Sequence, residues 1–129
     1  MTGFLIDTSV ALIAASDSAS LPVGVREALL RGPNYLSVIS YWEIVLKSMK
    51  GKLIVGEPRA WWEDTLQQLA ATPLILRPEH VDQITRLPGI HQDPFDRVLI
   101  AQAMIENLIF ITTDEAISRY AAERLQVLR

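Results

Sequence analysis

Apolar residues in this chain fall into short uninterrupted runs, separated by longer stretches with helical spacing. Phe4–Ile6 is apolar at successive positions and too short for an amphipathic helix, which marks a central strand ended by the turn-forming Asp7, Thr8 and Ser9. Residues 35–38, 74–76 and 108–111 are read as further strands, and 125–128 as a returning edge strand. Helix signals lie between them. Residues 10–15 start a first helix and 22–30 form a second, with Pro22 at its first position and Gly32 and Pro33 stopping it. Ser40 is placed to cap a third, with Glu43 three positions later to complete a capping box and Gly51 to end it after Lys50. Pro58 opens a helix through residue 71 with Trp61, Trp62, Leu66 and Leu69 on its apolar surface, and residues 78–87 form a shorter one bounded by Pro88 and Gly89. Asp93 caps a helix that begins at Pro94, is apolar on more than one side over 98–105 and ends at Asn107; Asp114 begins or precedes the last helix.

Strands that alternate with helices and are apolar on both faces predict an α/β fold, a mostly parallel central sheet covered by helices, in a single domain spanning 1–129. Sites in such folds gather beyond the carboxyl ends of the strands. Asp7 and Asp114 fall there directly. Asp93 and Asp96 are three apart at a helix entrance, where both can approach one side of the first turn and backbone amides stabilise their charge. Glu43 lies near another helix entrance. Each acid also has a purely structural alternative: Asp7, Asp93 and Asp114 as helix caps, Glu43 as the capping-box glutamate, and Asp96 as a first-turn acid favoured by the helix dipole.

Composition narrows the chemistry. Half of the 129 residues are apolar, enough for one modest core, and with no cysteine there is neither a disulfide framework nor a thiolate metal site. The opening residues lack the basic and apolar segments of a secretory signal, and no apolar run reaches the roughly 18 residues of a membrane span, so the expectation is a soluble protein compatible with a reducing cytosol. The formal charge of −3 argues against a strongly basic nucleic-acid coat, although a divalent ion would reverse the field around clustered acids. Carboxylates brought together without compensation repel and tend to protonate; Mg²⁺ or Mn²⁺ makes the cluster favourable and lends charge to phosphate oxygens. Phosphodiester cleavage with one or two ions is the chemistry this pattern suits.

The remaining candidates are weaker. Thr8 and Ser9 can orient a ligand near Asp7 or simply make the turn. Lys47, one turn beyond Glu43, pairs with it or meets a phosphate, and Arg97 clamps an acid or phosphate or forms an ordinary salt bridge. Arg26, Arg31, Lys47, Lys50 and Lys52 form a modest basic rim or solvate their helices. Trp42, Trp61 and Trp62 are read as packing rather than base-stacking surfaces. His91 and His80 receive no catalytic role. A Ser/His/Asp nucleophile, a glycine-rich nucleotide loop and a histidine zinc site are absent from the sequence.

Four segments together carry a more specific likeness: Leu5-Ile6-Asp7-Thr8-Ser9; Ser40-Tyr41-Trp42-Glu43-Ile44 with Lys47 and Gly51-Lys52-Leu53; His91-Gln92-Asp93-Pro94-Phe95-Asp96-Arg97 followed by Leu99-Ile100-Ala101-Gln102-Ala103; and Thr112-Thr113-Asp114. In their order and spacing, over nearly the whole chain, the sequence resembles PIN-domain ribonucleases, specifically the VapC-like toxins of type II toxin-antitoxin pairs. The resemblance implies a PIN-like three-layer fold and a Mg²⁺-dependent endoribonuclease, with Mn²⁺ as a substitute, whose catalytic and metal-binding acids are Asp7, Glu43, Asp96 and Asp114. Asp93, Ser9 and Thr113 occupy accessory positions, with Arg97 and Lys47 beside them. It further implies a cytoplasmic homodimer inhibited by a cognate VapB-like antitoxin, an RNA substrate with transfer RNA a family-level candidate, operator DNA reached only through the antitoxin, and no membrane partner. The ending, 118–129, departs from the more aromatic termination of some relatives. A nuclease for structured DNA and a catalytically weak PIN-like binding module are the alternatives.

Overall fold

The computed structural model describes residues 2–87, 93–118 and 125–128. Five strands, β1 (Phe4–Ile6), β2 (Asn34–Ser37), β3 (Ala71–Leu74), β4 (Ile109–Ile111) and β5 (Gln126–Leu128), form one sheet in the order β3-β2-β1-β4-β5. Every pairing is parallel, with Phe4 opposite Asn34 on one side and Ile109 on the other. Among the described residues seven α-helices connect or follow the strands: α1 (Thr8–Asp17), α2 (Val23–Arg31), α3 (Val38–Met49), α4 (Pro58–Gln68), α5 (Pro78–Ile84), α6 (Pro94–Glu106) and α7 (Glu115–Ser118).

Side-chain alternation on the two-sided strands divides the core. Leu5 and Phe110 face a cluster with Leu99, Ile100 and Ala103 of α6 and Ile117 of α7. Phe4, Ile6 and Ile111 face the opposite cluster, filled by Val10 and Ala11 of α1, Val25 and Ala28 of α2, and Trp62 of α4. The result is the three-layer α/β arrangement expected from continuous apolar strands. Trp62 stacks on Tyr41 at 5.0 Å between ring centroids, in keeping with a packing role, whereas Trp42 is 55% exposed and meets Phe95 edge-on. Among the described residues no single helix is long and apolar enough to cross a membrane.

Several element boundaries differ from expectation for identifiable reasons. The strand expected at 74–76 is β3, Ala71–Leu74; it pairs with β2 up to Ser37 opposite Leu74, which leaves Ile75 and Leu76 past the sheet and 62% and 42% exposed. Pro73 breaks the strand pattern in sequence but is tolerated because β3 is an edge strand. The preceding helix stops at Gln68, before Ala70 takes φ 47°. Pro22 stands just outside α2, as its cap residue. The largest correction concerns α3. Its cap is Ser37, whose Oγ accepts a hydrogen bond from the Ile39 amide at 3.0 Å, so the strand passes straight into the helix. Ser40 is buried inside α3 with its Oγ 2.8 Å from Thr8 Oγ1, and the Ser40–Glu43 capping box does not form. The expected helix at 78–87 ends at Ile84. Pro88, Gly89 and the tail beyond Ser118 up to residue 124 lie outside the described residues.

Candidate functional site

The chain runs outward from β1 through β2 to β3, then crosses to the other side of β1 for β4 and β5. The order therefore reverses between β1 and β4, and the crevice past their carboxyl ends is where ligands bind in sheets of this kind. Asp7 is at this point. Its backbone amide donates to Ile111 O at 2.9 Å, and its side chain is buried, with 4% of the residue exposed. Asp7 stands at the N-cap position of α1, but its side chain makes no cap hydrogen bond there.

Thr112 holds the Asp7 carboxylate. Its hydroxyl donates to Asp7 Oδ2 at 2.7 Å and accepts from the Asp114 amide at 3.0 Å, binding the ends of β1 and β4 through one oxygen. Asp114 spends Oδ1 on capping, accepting from the Ala116 amide at 2.9 Å. Burial pushes the Asp7 carboxyl up from 3.8 to about 6; the Thr112 hydroxyl and the Thr8 amide pull it down, and the charges of Glu43 and Asp114 add to the rise. Two acids far from it in sequence, Glu43 and Asp114, thus act on Asp7 at the crevice.

The Thr8–Ser40 contact ties the start of α1 to α3 and brings Glu43 to this side of the sheet. Glu43, in the second turn of α3, is 4% exposed. Its Oε2 is 2.7 Å from Lys47 Nζ, the i,i+4 pair anticipated from the sequence, while Oε1 is buried with no hydrogen-bond partner among the described residues. The hydrogen bond to Glu43 raises the Lys47 ammonium above its ordinary value, partial burial opposes this, and the charges of Glu43, Asp93 and Asp96 add to the rise.

At that entrance Asp93 is the cap, its Oδ1 accepting from the amides of Phe95 at 2.9 Å and Asp96 at 3.4 Å. Asp96 occupies the first turn, half-buried. Arg97 donates to Ile84 O at 3.3 Å and Leu87 O at 3.5 Å, fastening the end of α5 to the start of α6. Ser9 and Thr113 are exposed. His91 lies outside the described residues. His80 is fully buried elsewhere, accepting at Nδ1 from the Arg77 amide at 3.0 Å with Nε2 2.8 Å from Glu106 Oε2, an arrangement that packs α5 on α6. Sequence reasoning missed Thr112 and Ser40; the only signal for either was a hydroxyl beside a predicted strand end.

All donors at the crevice are oxygens, a set suited to hard cations. Among the described residues, no three acidic or histidine side chains converge closely enough to hold an ion as they stand. Two apolar grooves, of about 370 Å³ beside α1 and Trp61 and about 470 Å³ between α2 and the end of α4, do not include the acids.

Residues 4–123 match the sequence model of the family described as the PIN domain. Among curated proteins, none matches the chain significantly. The fold is similar to that in DNA-bound VapBC from Salmonella typhimurium, with a TM-score of 0.73 at 14% identity, covering 99% of this chain and 98% of that one. VapBC2 from Rickettsia felis, bound to a DNA fragment from its promoter, gives 0.72 at 14% identity over 97% of this chain and 96% of that chain. VapBC-5 from Mycobacterium tuberculosis, a member of the VapBC family of toxin-antitoxin systems, gives 0.65 at 20% identity over 100% and 99%. At such identities the likeness speaks for the fold, and it agrees with the family match over nearly all of the same residues: the chain belongs to the PIN-domain family.

Proposed function

We propose that this protein is a divalent-metal-dependent endoribonuclease toxin restrained by a cognate VapB-like antitoxin. The observation that carries the reading is Glu43: a carboxylate 4% exposed, with Oε1 lacking a partner among the described residues, next to an Asp7 that burial and neighbouring acids make costly to ionise. Such an under-compensated set of oxygens fits Mg²⁺, with Mn²⁺ as a substitute. Asp7, Glu43, Asp96 and Asp114 would hold it, and Asp93 would adjust occupancy from its cap position. When bound, one or two ions supply positive charge to the scissile phosphate and lower the pKa of an attacking water.

The protein's own side chains do the positioning. Thr112 fixes the orientation of Asp7 through Oδ2. The Thr8–Ser40 contact ties α1 to α3, the helices that Asp7 precedes and Glu43 occupies. Arg97 steadies the entrance of α6 and with it Asp96, while Ser9 and Thr113 are exposed and would contact RNA. Chains of like fold come from VapBC complexes, several of them on DNA, which supports an antitoxin as partner and operator DNA as a ligand of the toxin-antitoxin assembly. The same reading makes the active form a homodimer acting in the cytoplasm, with transfer RNA the first substrate to examine.

The test is cleavage of a mixed cellular RNA pool, and of matched DNA, by purified antitoxin-free protein with Mg²⁺ or Mn²⁺. RNA cuts that EDTA abolishes and that Asp96→Asn reduces roughly a hundredfold or more are expected. Equal cutting of DNA would move the reading to a structured-DNA nuclease. No cuts from a folded protein would move it to a binding module.

A further inference from the structure

The acid cluster contains a cation of its own. Lys47 Nζ lies 2.7 Å from Glu43 Oε2, and Glu43 is among the most deeply buried acids of the described chain. The lysine is the mobile member of the pair: its side chain is 47% exposed on a flexible four-carbon stem, against 6% for that of Glu43. The ammonium can move into water while the carboxylate stays. Glu43 Oε1 is buried without a partner among the described residues, so the carboxylate has capacity that Lys47 does not use. At the same time the described acids do not converge closely enough to hold an ion as they stand. The hydrogen bond to Lys47 commits Glu43 Oε2, so an ion bound by both oxygens of this carboxylate has to displace the ammonium.

We propose that Lys47 is a tethered counter-ion that occupies Glu43 in the metal-free pocket and competes with the divalent cation for that carboxylate. An ammonium and a divalent ion on one carboxylate repel each other, so occupation by one disfavours the other. A lysine that only positioned Glu43 would act in the opposite sense, since its removal would loosen the ligand and weaken metal binding. The sign of the change in metal affinity therefore separates the two roles. This inference rests on the divalent-cation reading of the site.

The experiment is calorimetric titration of Mn²⁺, and separately Mg²⁺, into the wild type, Lys47→Met and Lys47→Arg, with melting temperatures followed with and without metal. Lys47→Met keeps most of the apolar stem and removes the charge; it is expected to bind Mn²⁺ roughly fivefold tighter or more, and to gain more in melting temperature on adding metal. Lys47→Arg keeps the charge and is expected to bind no tighter than the wild type. Lys47→Gln serves as a second uncharged variant if the methionine fails to fold. Wild-type binding with equal or weaker affinity in the uncharged variant overturns the counter-ion while leaving the metal site standing. Absence of Mn²⁺ binding from both the wild type and the uncharged variant overturns the metal site and the counter-ion with it.

Discussion

Asp7 has the clearest energetic signature of any single residue. Its carboxyl keeps a proton up to about pH 6 in the folded chain but only to 3.8 when unfolded. The contribution to stability is therefore most favourable below 3.8, declines as the pH rises between the two values, and is least favourable above about 6; the gap corresponds to about 3 kcal/mol. Asp7→Asn removes this slope and keeps an acceptor for Thr112. In EDTA it should be more stable than the wild type near pH 8, by about 1–3 kcal/mol, and the difference should shrink toward pH 4, as read by urea unfolding across that range. Much of the site at this scale was legible in the sequence, because Asp7 and Asp114 follow strands that announce themselves by apolar continuity. The partner of Asp7 was not. Thr112 and Thr113 have the same chemistry, and only the pairing of Ile6 with Ile111 decides which hydroxyl faces the carboxylate.

Local chemistry placed most helices but misassigned the entrance to α3. Ser37 and Ser40 are both followed by helix-forming residues, and a glutamate three positions after Ser40 made a plausible capping box. Burial decided otherwise: Ser40 is needed against Thr8, and Ser37 is free to accept from Ile39. The two serines should consequently fail differently. Ser37→Ala is expected to cost about 1 kcal/mol through loss of the cap, seen as a lower denaturation midpoint at unchanged slope. Ser40→Ala removes the buried link to α1 and leaves Thr8 Oγ1 without that partner, at a cost of about 1–3 kcal/mol. If Ser37→Ala proved the silent substitution and only Ser40→Ala weakened the helix, the capping assignment would be wrong. Pro73, which would argue against a central strand, is acceptable on the edge that β3 occupies.

At the scale of the whole molecule, alternating strands and helices conveyed a parallel sheet with two covered faces, but not its strand order. Order depends on pairings such as Phe4 with Ile109, which no local pattern encodes. In the resulting order β1 is central and β4 is paired on both sides, so side chains of both strands are enclosed in the core. Phe110, fully buried against α6, should cost about 3–5 kcal/mol when changed to Ala, with cooperative unfolding measured by denaturant as the check. A value below about 1 kcal/mol would mean that this face is much looser than the packing indicates.

The hydrogen bond from Thr112 to Asp7 spans 105 positions of sequence. A ribosome delivers the chain from its amino end at about 5–20 residues per second, so Asp7 is made early and waits several seconds for the strand that completes its surroundings. β1 cannot take its central place until β4 has emerged, and a chain interrupted before residue 109 carries Asp7 and Glu43 without the crevice that joins them. The acidic centre is thus withheld from any translation product that stops short of β4.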